Sequence, residues 1–144
     1  MRIFLDEETV FDVYYPASAN SAVAVKDLND ASLVGKLTFG AESVLFTGDA
    51  GADTENFLSA AEFPLVSGIL KIGHHGSATS SSRQFLDLVS PKDAVISLGE
   101  NNSYGFPSEK VLGALASTGA EILRTDQRGD IFFQIYPDRI ALSQ

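Results

Sequence analysis

Three residues suited to metal or acid–base chemistry close two apolar segments of the chain. Asp49 ends VLFTGD, and the two histidines of the sequence, His74 and His75, end LKIGHH. Carboxylate and imidazole groups bind metals and transfer protons, and α/β sheets bind ligands outside the carboxyl ends of their strands. The three residues are therefore candidates for a metal or acid–base site.

Simpler interpretations exist for each candidate. An Asp at a strand end is often a turn or helix-capping residue, and a pair of loop histidines is often structural or merely exposed. Adjacent residues of an extended backbone point to opposite sides. We therefore expect at most one of His74 and His75 to face a given site.

A third segment, ENNSYGFPS, follows the apolar run DAVISLG and carries the polar residues Asn101 to Tyr104. These are candidate site residues, although a turn followed by a helix cap explains the same pattern. Asp126 and Asp130 in RTDQRGD are most simply turn residues between two strands.

Apolar periodicity and turn residues indicate the elements that would position these groups. Leu33 to Phe39 and Val44 to Phe46, separated by GAES, predict a hairpin. Asp53 or Thr54 would cap the first helix, and Ser81 with Gln84 would form a capping box for the second. Helices are predicted in ADTENFLSAA, SSSRQFLDLVS and PSEKVLGALASTG, and further strands in FDVYY, SGILKIG, DAVISLG, AEILRT, DIFFQIY and IALS. The order indicates one α/β domain, residues 1–144, with a mixed sheet and flanking helices.

Composition limits the partners. The net charge of −9 opposes non-specific attraction to phosphate backbones. The chain has no cysteine, which excludes disulfides and thiolate metal sites. No apolar run approaches the roughly 18 residues that span a bilayer, so we expect no direct membrane insertion.

The segments NDASLVGKLTFGAESVLFTGDA, LKIGHHGSATSSSRQFLDLVSPKDAVISLGENNSYGFPS and EILRTDQRGDI together resemble the metallo-β-lactamase-like domain of ComEC-type competence proteins. The resemblance covers about Phe11 to Ile135, with the motifs in the same order and at similar spacing. It implies two mixed sheets between helices (αββα), with a hydrolase site that usually holds two zinc ions. It also implies that Asp49 bridges the metals and that His74 or His75 is a metal ligand or a proton donor to the leaving group. The ComEC-type domain is associated with DNA uptake, which suggests a nucleic acid substrate.

Two departures from the family pattern affect these expectations. The H-x-H-x-D-H element, which supplies most of the metal ligands, is absent, so the chain resembles the C-terminal half of the domain. Phe106 also stands where the family usually has a histidine, and phenylalanine cannot bind a metal. Asp49 and one histidine make two ligands, to which Asn29 or Asp30 might add a third. A catalytic zinc generally takes three protein ligands.

Three hypotheses follow. The chain is part of a metal-dependent phosphodiester hydrolase; it is a non-catalytic binding or assembly module that kept the fold and lost its metals; or it is a fragment of an active parent. Half of a two-sheet sandwich would leave an apolar sheet face uncovered, and such patches are rare in monomers. We therefore expect a homo-oligomer, or a separate chain that supplies the missing half.

Overall fold

The computed structural model describes residues 1–16 and 28–143, apart from the side chain of Asp30. The small and polar segment from Ala17 to Asp30, for which the sequence predicts a loop, lies mostly outside these residues. Its last three residues belong to a short 3-10 helix, Leu28–Ala31.

Seven strands form one sheet, and they are hydrogen-bonded in the order in which they follow one another along the chain. The first four strands are antiparallel, and the fourth to the seventh are parallel. The strands are β1 (Arg2–Phe4), β2 (Thr9–Tyr15), β3 (Val34–Phe39), β4 (Glu42–Phe46), β5 (Ile69–Lys71), β6 (Asp93–Ile96) and β7 (Glu121–Arg124). The predicted mixed sheet is confirmed.

Three helices connect the parallel strands and pack on one face of the sheet. They are α1 (Ala52–Ala60), α2 (Arg83–Val89) and α3 (Glu109–Ala116). Leu58, Phe85 and Leu115 from these helices share a buried core with Leu45 and Leu70 of the sheet. The main hydrophobic core therefore lies between this face of the sheet and the three helices.

A separate hairpin lies over the opposite face of the sheet. Its strands, β8 (Phe132–Tyr136) and β9 (Arg139–Ser143), pair antiparallel. Phe133 and Ile135 of this hairpin line a groove with Val44, Ile69 and Val95 of the sheet. Adjacent strand residues such as Val44 and Leu45 therefore serve opposite faces, as period-two geometry requires.

The predicted elements are found, but two of the predicted caps are wrong. The cap residue of α1 is Gly51, without a side-chain hydrogen bond, rather than Asp53 or Thr54. The cap of α2 is Ser82, whose hydroxyl accepts from the Phe85 N–H, rather than Ser81. Pairing with β2 also makes a strand of Arg2–Phe4, which the sequence does not indicate.

A short helix, α4 (Thr125–Arg128), follows β7 and contains Asp126. None of the helices in the described part of the chain is long and apolar enough to cross a membrane.

Candidate active site at the carboxyl ends of two parallel strands

Asp49 lies three residues beyond the end of β4, where hydrogen bonds fix the backbone. The Thr47 hydroxyl donates to the carbonyl of Lys71 at 2.8 Å, which ties the β4 exit to β5. The Asp49 N–H donates to the Ser32 hydroxyl oxygen at 3.0 Å. The carboxylate itself stays partly exposed, with 38% of the side chain accessible. Asp49 can therefore bind a ligand without losing structural hydrogen bonds.

His74 and His75 lie in a tight turn rather than on extended backbone. Both have left-handed dihedral angles, with φ of 47° at His74 and 52° at His75, inside a 3-10 turn over Gly73–Gly76. Left-handed conformations are uncommon for residues other than glycine. Because the chain curls here, both side chains line the same cavity. The expectation that at most one of them faces the site is wrong.

Hydrogen bonds from three segments hold this turn. The His74 N–H donates to the Gly48 carbonyl at 3.1 Å. The hydroxyl of the buried Ser80 donates to the Gly73 carbonyl at 2.7 Å. The Ser108 N–H donates to the Gly76 carbonyl at 2.9 Å. Such bracing from surrounding structure is what allows a strained backbone to persist.

The orientation of His75 is set by one backbone carbonyl. Its Nδ1 lies 2.5 Å from the Ser97 oxygen. A carbonyl only accepts, so Nδ1 carries the hydrogen, and in the neutral ring Nε2 has the free lone pair. That Nε2 faces Asp49, 3.6 Å from Oδ1. Two atoms that can bind a metal, His75 Nε2 and Asp49 Oδ1, thus lie close together.

His74 has a different environment. Its ring packs edge-to-face against Phe106, with centroids 5.8 Å apart. Within the described residues, the structure records no hydrogen bond to its ring nitrogens. His74 and Asp49 also line a second cavity of about 430 Å³, together with Asn29 and Lys110. His74 therefore stands between two openings, whereas His75 serves the first.

The first cavity has a volume of about 590 Å³. Asn102, Tyr104 and Phe106 of the predicted polar loop contribute to its wall, whereas Asn101 and Ser103 do not. The remaining wall is formed by Asp49, His74, His75, Ser97, Leu98 and Gly99.

One lysine lies close to the site on the other face of the sheet. The Lys71 ammonium donates to the Gly48 carbonyl at 3.2 Å. Burial lowers the pKa of Lys71, and the nearby Asp49 carboxylate opposes that shift. Lys71 thus adds positive charge behind the Asp49 loop.

The described residues do not complete a catalytic zinc site. A tetrahedral zinc with bonds of roughly 2.0–2.2 Å holds its donor atoms about 3.4 Å apart, which is compatible with the 3.6 Å between His75 and Asp49. Within the part of the chain that the structure describes, however, no three His, Asp or Glu side chains are grouped to hold a metal ion. Asn29 lies on the second cavity, and the side chain of Asp30 is outside the described residues.

The class of protein follows from the parallel strands together with the two loops that carry Asp49 and the histidines. Residues 20–100 match the metallo-beta-lactamase superfamily, and the chain belongs to it. The matched range includes Asp49, His74 and His75.

More particularly, the chain is similar to the metallo-β-lactamase-like domain of ComEC-type competence proteins. It is 38% identical over 113 residues to ComE operon protein 3 of Bacillus subtilis, covering 78% of this chain and 14% of that protein. It is 40% identical over 108 residues to competence protein ComA of Neisseria gonorrhoeae, covering 74% of this chain and 16% of the relative. Recombination protein 2 of Haemophilus influenzae is 34% identical over 116 residues, 81% of this chain and 14% of that protein. The chain thus spans about one seventh of the length of these relatives.

Two parts of the site are not indicated by the sequence. Ser97 acts through its carbonyl and Ser32 through a hydroxyl that binds the Asp49 backbone. A backbone carbonyl leaves no signal in residue type. The position of Ser97 at the exit of the apolar strand DAVIS is the one clue that could have drawn attention to it.

Proposed function

We propose that this chain forms part of a metal-dependent phosphodiester hydrolase site that acts on nucleic acid during DNA uptake. The convergence of His75 Nε2 and Asp49 Oδ1, 3.6 Å apart at the wall of an open cavity, carries the proposal. The chain's membership of the superfamily supports the reaction class. Its similarity to competence proteins supports the biological setting.

In this proposal Asp49 and His75 are two of the ligands of a zinc site, and the family's arrangement calls for two ions. The remaining ligands come from a second chain, which is also why we propose a self-associated or two-chain assembly. When bound, zinc would supply an activated water and charge neutralisation.

The chain's own residues have separable roles. The Ser97 carbonyl fixes the tautomer of His75 and holds its Nε2 towards Asp49. The ring nitrogens of His74 make no hydrogen bond among the described residues, and in this proposal they would hydrogen-bond and protonate the leaving oxygen of a substrate in the cavity. Phe106 packs edge-to-face against that ring.

The experiment combines metal binding with hydrolysis. The protein is dialysed against zinc or manganese, its metal content is measured, and cleavage of bis-p-nitrophenyl phosphate is followed. Bound metal and cleavage are expected together, and both should fall in Asp49→Asn and His75→Ala. Asp130→Asn, an exposed acid outside the cavity, is the matched control. Metal content and cleavage that are unchanged in both site variants would contradict the proposal.

A second function, a binding or assembly module without metals, is favoured by one observation. Phe106 occupies the cavity wall beside His74 and offers no ligand atom. Under this alternative the purified protein holds essentially no zinc or manganese, and it still binds its partner in the presence of a chelator.

A further inference from the structure

Two aromatic side chains form a flat surface at the mouth of the 590 Å³ cavity. The rings of Tyr104 and Phe106 are nearly parallel, with an interplanar angle of 17° and centroids 5.6 Å apart. Tyr104 is 79% exposed, so its outer face is open to a ligand. We call this pair the aromatic platform.

The platform is held in place before any ligand binds. The Asn102 side chain donates to the Phe106 carbonyl at 2.9 Å and to the Gly99 carbonyl at 3.3 Å. Its Oδ1 accepts from the Phe106 N–H at 2.9 Å. Because the Asn102 side chain closes the loop on both sides, the backbone that carries the rings needs little ordering on binding, and preorganisation of this kind favours affinity.

The platform also adjoins the candidate ligands. Phe106 packs against His74, and the same cavity contains Asp49 and His75. A base stacked on the outer face of Tyr104 is separated from His74 by both rings. A strand that continues from that base along the cavity wall would bring a phosphodiester beside these three side chains.

Charge explains why stacking is needed. The protein carries a net charge of −9, and no lysine or arginine is among the described residues that line this cavity. Direct pairing of phosphates with this wall therefore contributes little. Lys71 lies behind the Asp49 loop, and Lys110 lines the second cavity. Base–aromatic stacking does not depend on net charge, and every base offers a flat face. In a duplex the interior bases are stacked on their neighbours, so the ligand has to offer an unpaired base.

We propose that the aromatic platform stacks one unpaired nucleobase of the strand whose phosphodiester lies at Asp49 and His75. This inference rests on the proposed function and names the form of its substrate: single-stranded DNA, or a frayed end. Tyr104 is a specificity-determining residue that acts on binding rather than on the chemical step.

The test is a metal-free titration of the whole chain, followed by the aromatic and amide NMR signals. The probes are a short oligodeoxythymidylate and a backbone of equal length without bases. Ring signals of Tyr104 and Phe106 should shift with the thymidylate and not with the abasic strand. Tyr104→Leu should weaken thymidylate binding roughly five- to hundredfold, the range for loss of one stacked base, and Tyr104→Phe should restore it.

Tyr136→Leu provides the matched control, because Tyr136 is an exposed tyrosine on the separate hairpin. It should bind thymidylate as the wild type does. The platform would be overturned if the protein bound the thymidylate no more tightly than the abasic strand or a blunt duplex. It would also be overturned if Tyr104→Leu bound the thymidylate as tightly as the wild type, or if the wild type did not bind it.

Failure of this inference is distinguishable from failure of the proposed function. Cleavage that depends on Asp49 and His75 but shows no preference for bases leaves the hydrolase standing and removes the platform. Base-dependent binding at Tyr104 without cleavage or bound metal supports the platform and removes the hydrolase.

Discussion

His75 Nε2 lies 3.6 Å from Asp49 Oδ1, although the two residues follow different strands. Because β4 and β5 are parallel neighbours, their carboxyl ends meet at one edge of the sheet. The left-handed turn at His75 then rotates its ring towards Asp49, and the Ser97 carbonyl after β6 holds it there. The segments that follow three consecutive strands, β4, β5 and β6, thus each contribute one residue to this arrangement.

This geometry predicts that the two histidines differ in their contribution to metal binding. His75→Ala removes the imidazole that faces Asp49, and we expect the affinity for zinc to fall by about tenfold or more, since even loss of a supporting residue costs that much. His74→Ala should have the smaller effect, because its ring packs on Phe106. Competition with a zinc-chelating dye measures both. An equal loss in the two variants would contradict the assignment of His75.

Gly76 ends the 3-10 turn that contains His74 and His75, and it packs against the loop that carries Phe106. Its φ is +83°, and a Cβ there would lie 2.6 Å from the Pro107 Cβ. Gly76→Ala combines backbone strain with a clash, so we expect the free energy of unfolding to fall by about 2–4 kcal/mol.

Gly105→Ala is the matched control for this prediction. Gly105 also has a positive φ, +70°, but a Cβ there would meet no atom within 4 Å. We expect a loss of only about 1 kcal/mol from strain. Urea denaturation of both variants compares the two, and equal losses would show that the contact with Pro107 carries no weight.

Much of the fold could be predicted because its signals are local. The hairpin from Val34 to Phe46 follows from two apolar runs around a glycine turn. The helices follow from apolar spacing, and Ser108 caps α3 with its own hydroxyl. The position of Asp49 could also be predicted, because an acid that follows an apolar strand lies at the carboxyl end of that strand.

The rest depends on partners distant in sequence. Ser81 was predicted to cap α2, but its N–H and that of Ser82 are taken by the carboxylate of Glu55, on another helix. The turn at His74 and His75 depends on hydrogen bonds from Gly48 and Ser108, which residue type does not reveal. Local sequence propensity therefore predicts the helices and strands, whereas tertiary contacts determine the conformation of the site.

Glu55 joins α1 to α2, and its replacement should be costly. Oε2 accepts from the Ser82 N–H at 2.9 Å, and Oε1 accepts from the Ser81 N–H. Glu55→Gln keeps one acceptor and turns an amide N–H₂ towards the other donor. We expect a loss of about 1–3 kcal/mol at pH 7. Glu62→Gln, at an exposed position, should change stability by less than about 0.5 kcal/mol.

The same pair of proteins tests the ionisation of Glu55. Burial raises its pKa, although the hydrogen bonds from Ser82 and Ser81 oppose the shift. The folded chain therefore holds the proton more tightly than the unfolded chain. The stability advantage of the wild type over Glu55→Gln should grow as pH falls through the native pKa towards about 4.3, the unfolded value. Denaturation midpoints at several pH values measure this, and an advantage that shrinks in acid would contradict it.

Asp126 should show the opposite dependence on pH. Arg124 donates to its two carboxylate oxygens at 3.0 and 2.5 Å, and these bonds hold the pKa of Asp126 below its usual value. The pair therefore stabilises the fold above the unfolded pKa of about 3.9, and the contribution is lost as pH falls through the native pKa. Asp126→Asn should cost about 1–3 kcal/mol at pH 7, because the two side chains are only 20% and 10% exposed and hydrogen bonds to charged groups contribute about that much, and close to nothing in strong acid. Asp130→Asn should match the wild type throughout, and a loss in Asp126→Asn that persists in strong acid would show that the effect is not ionic.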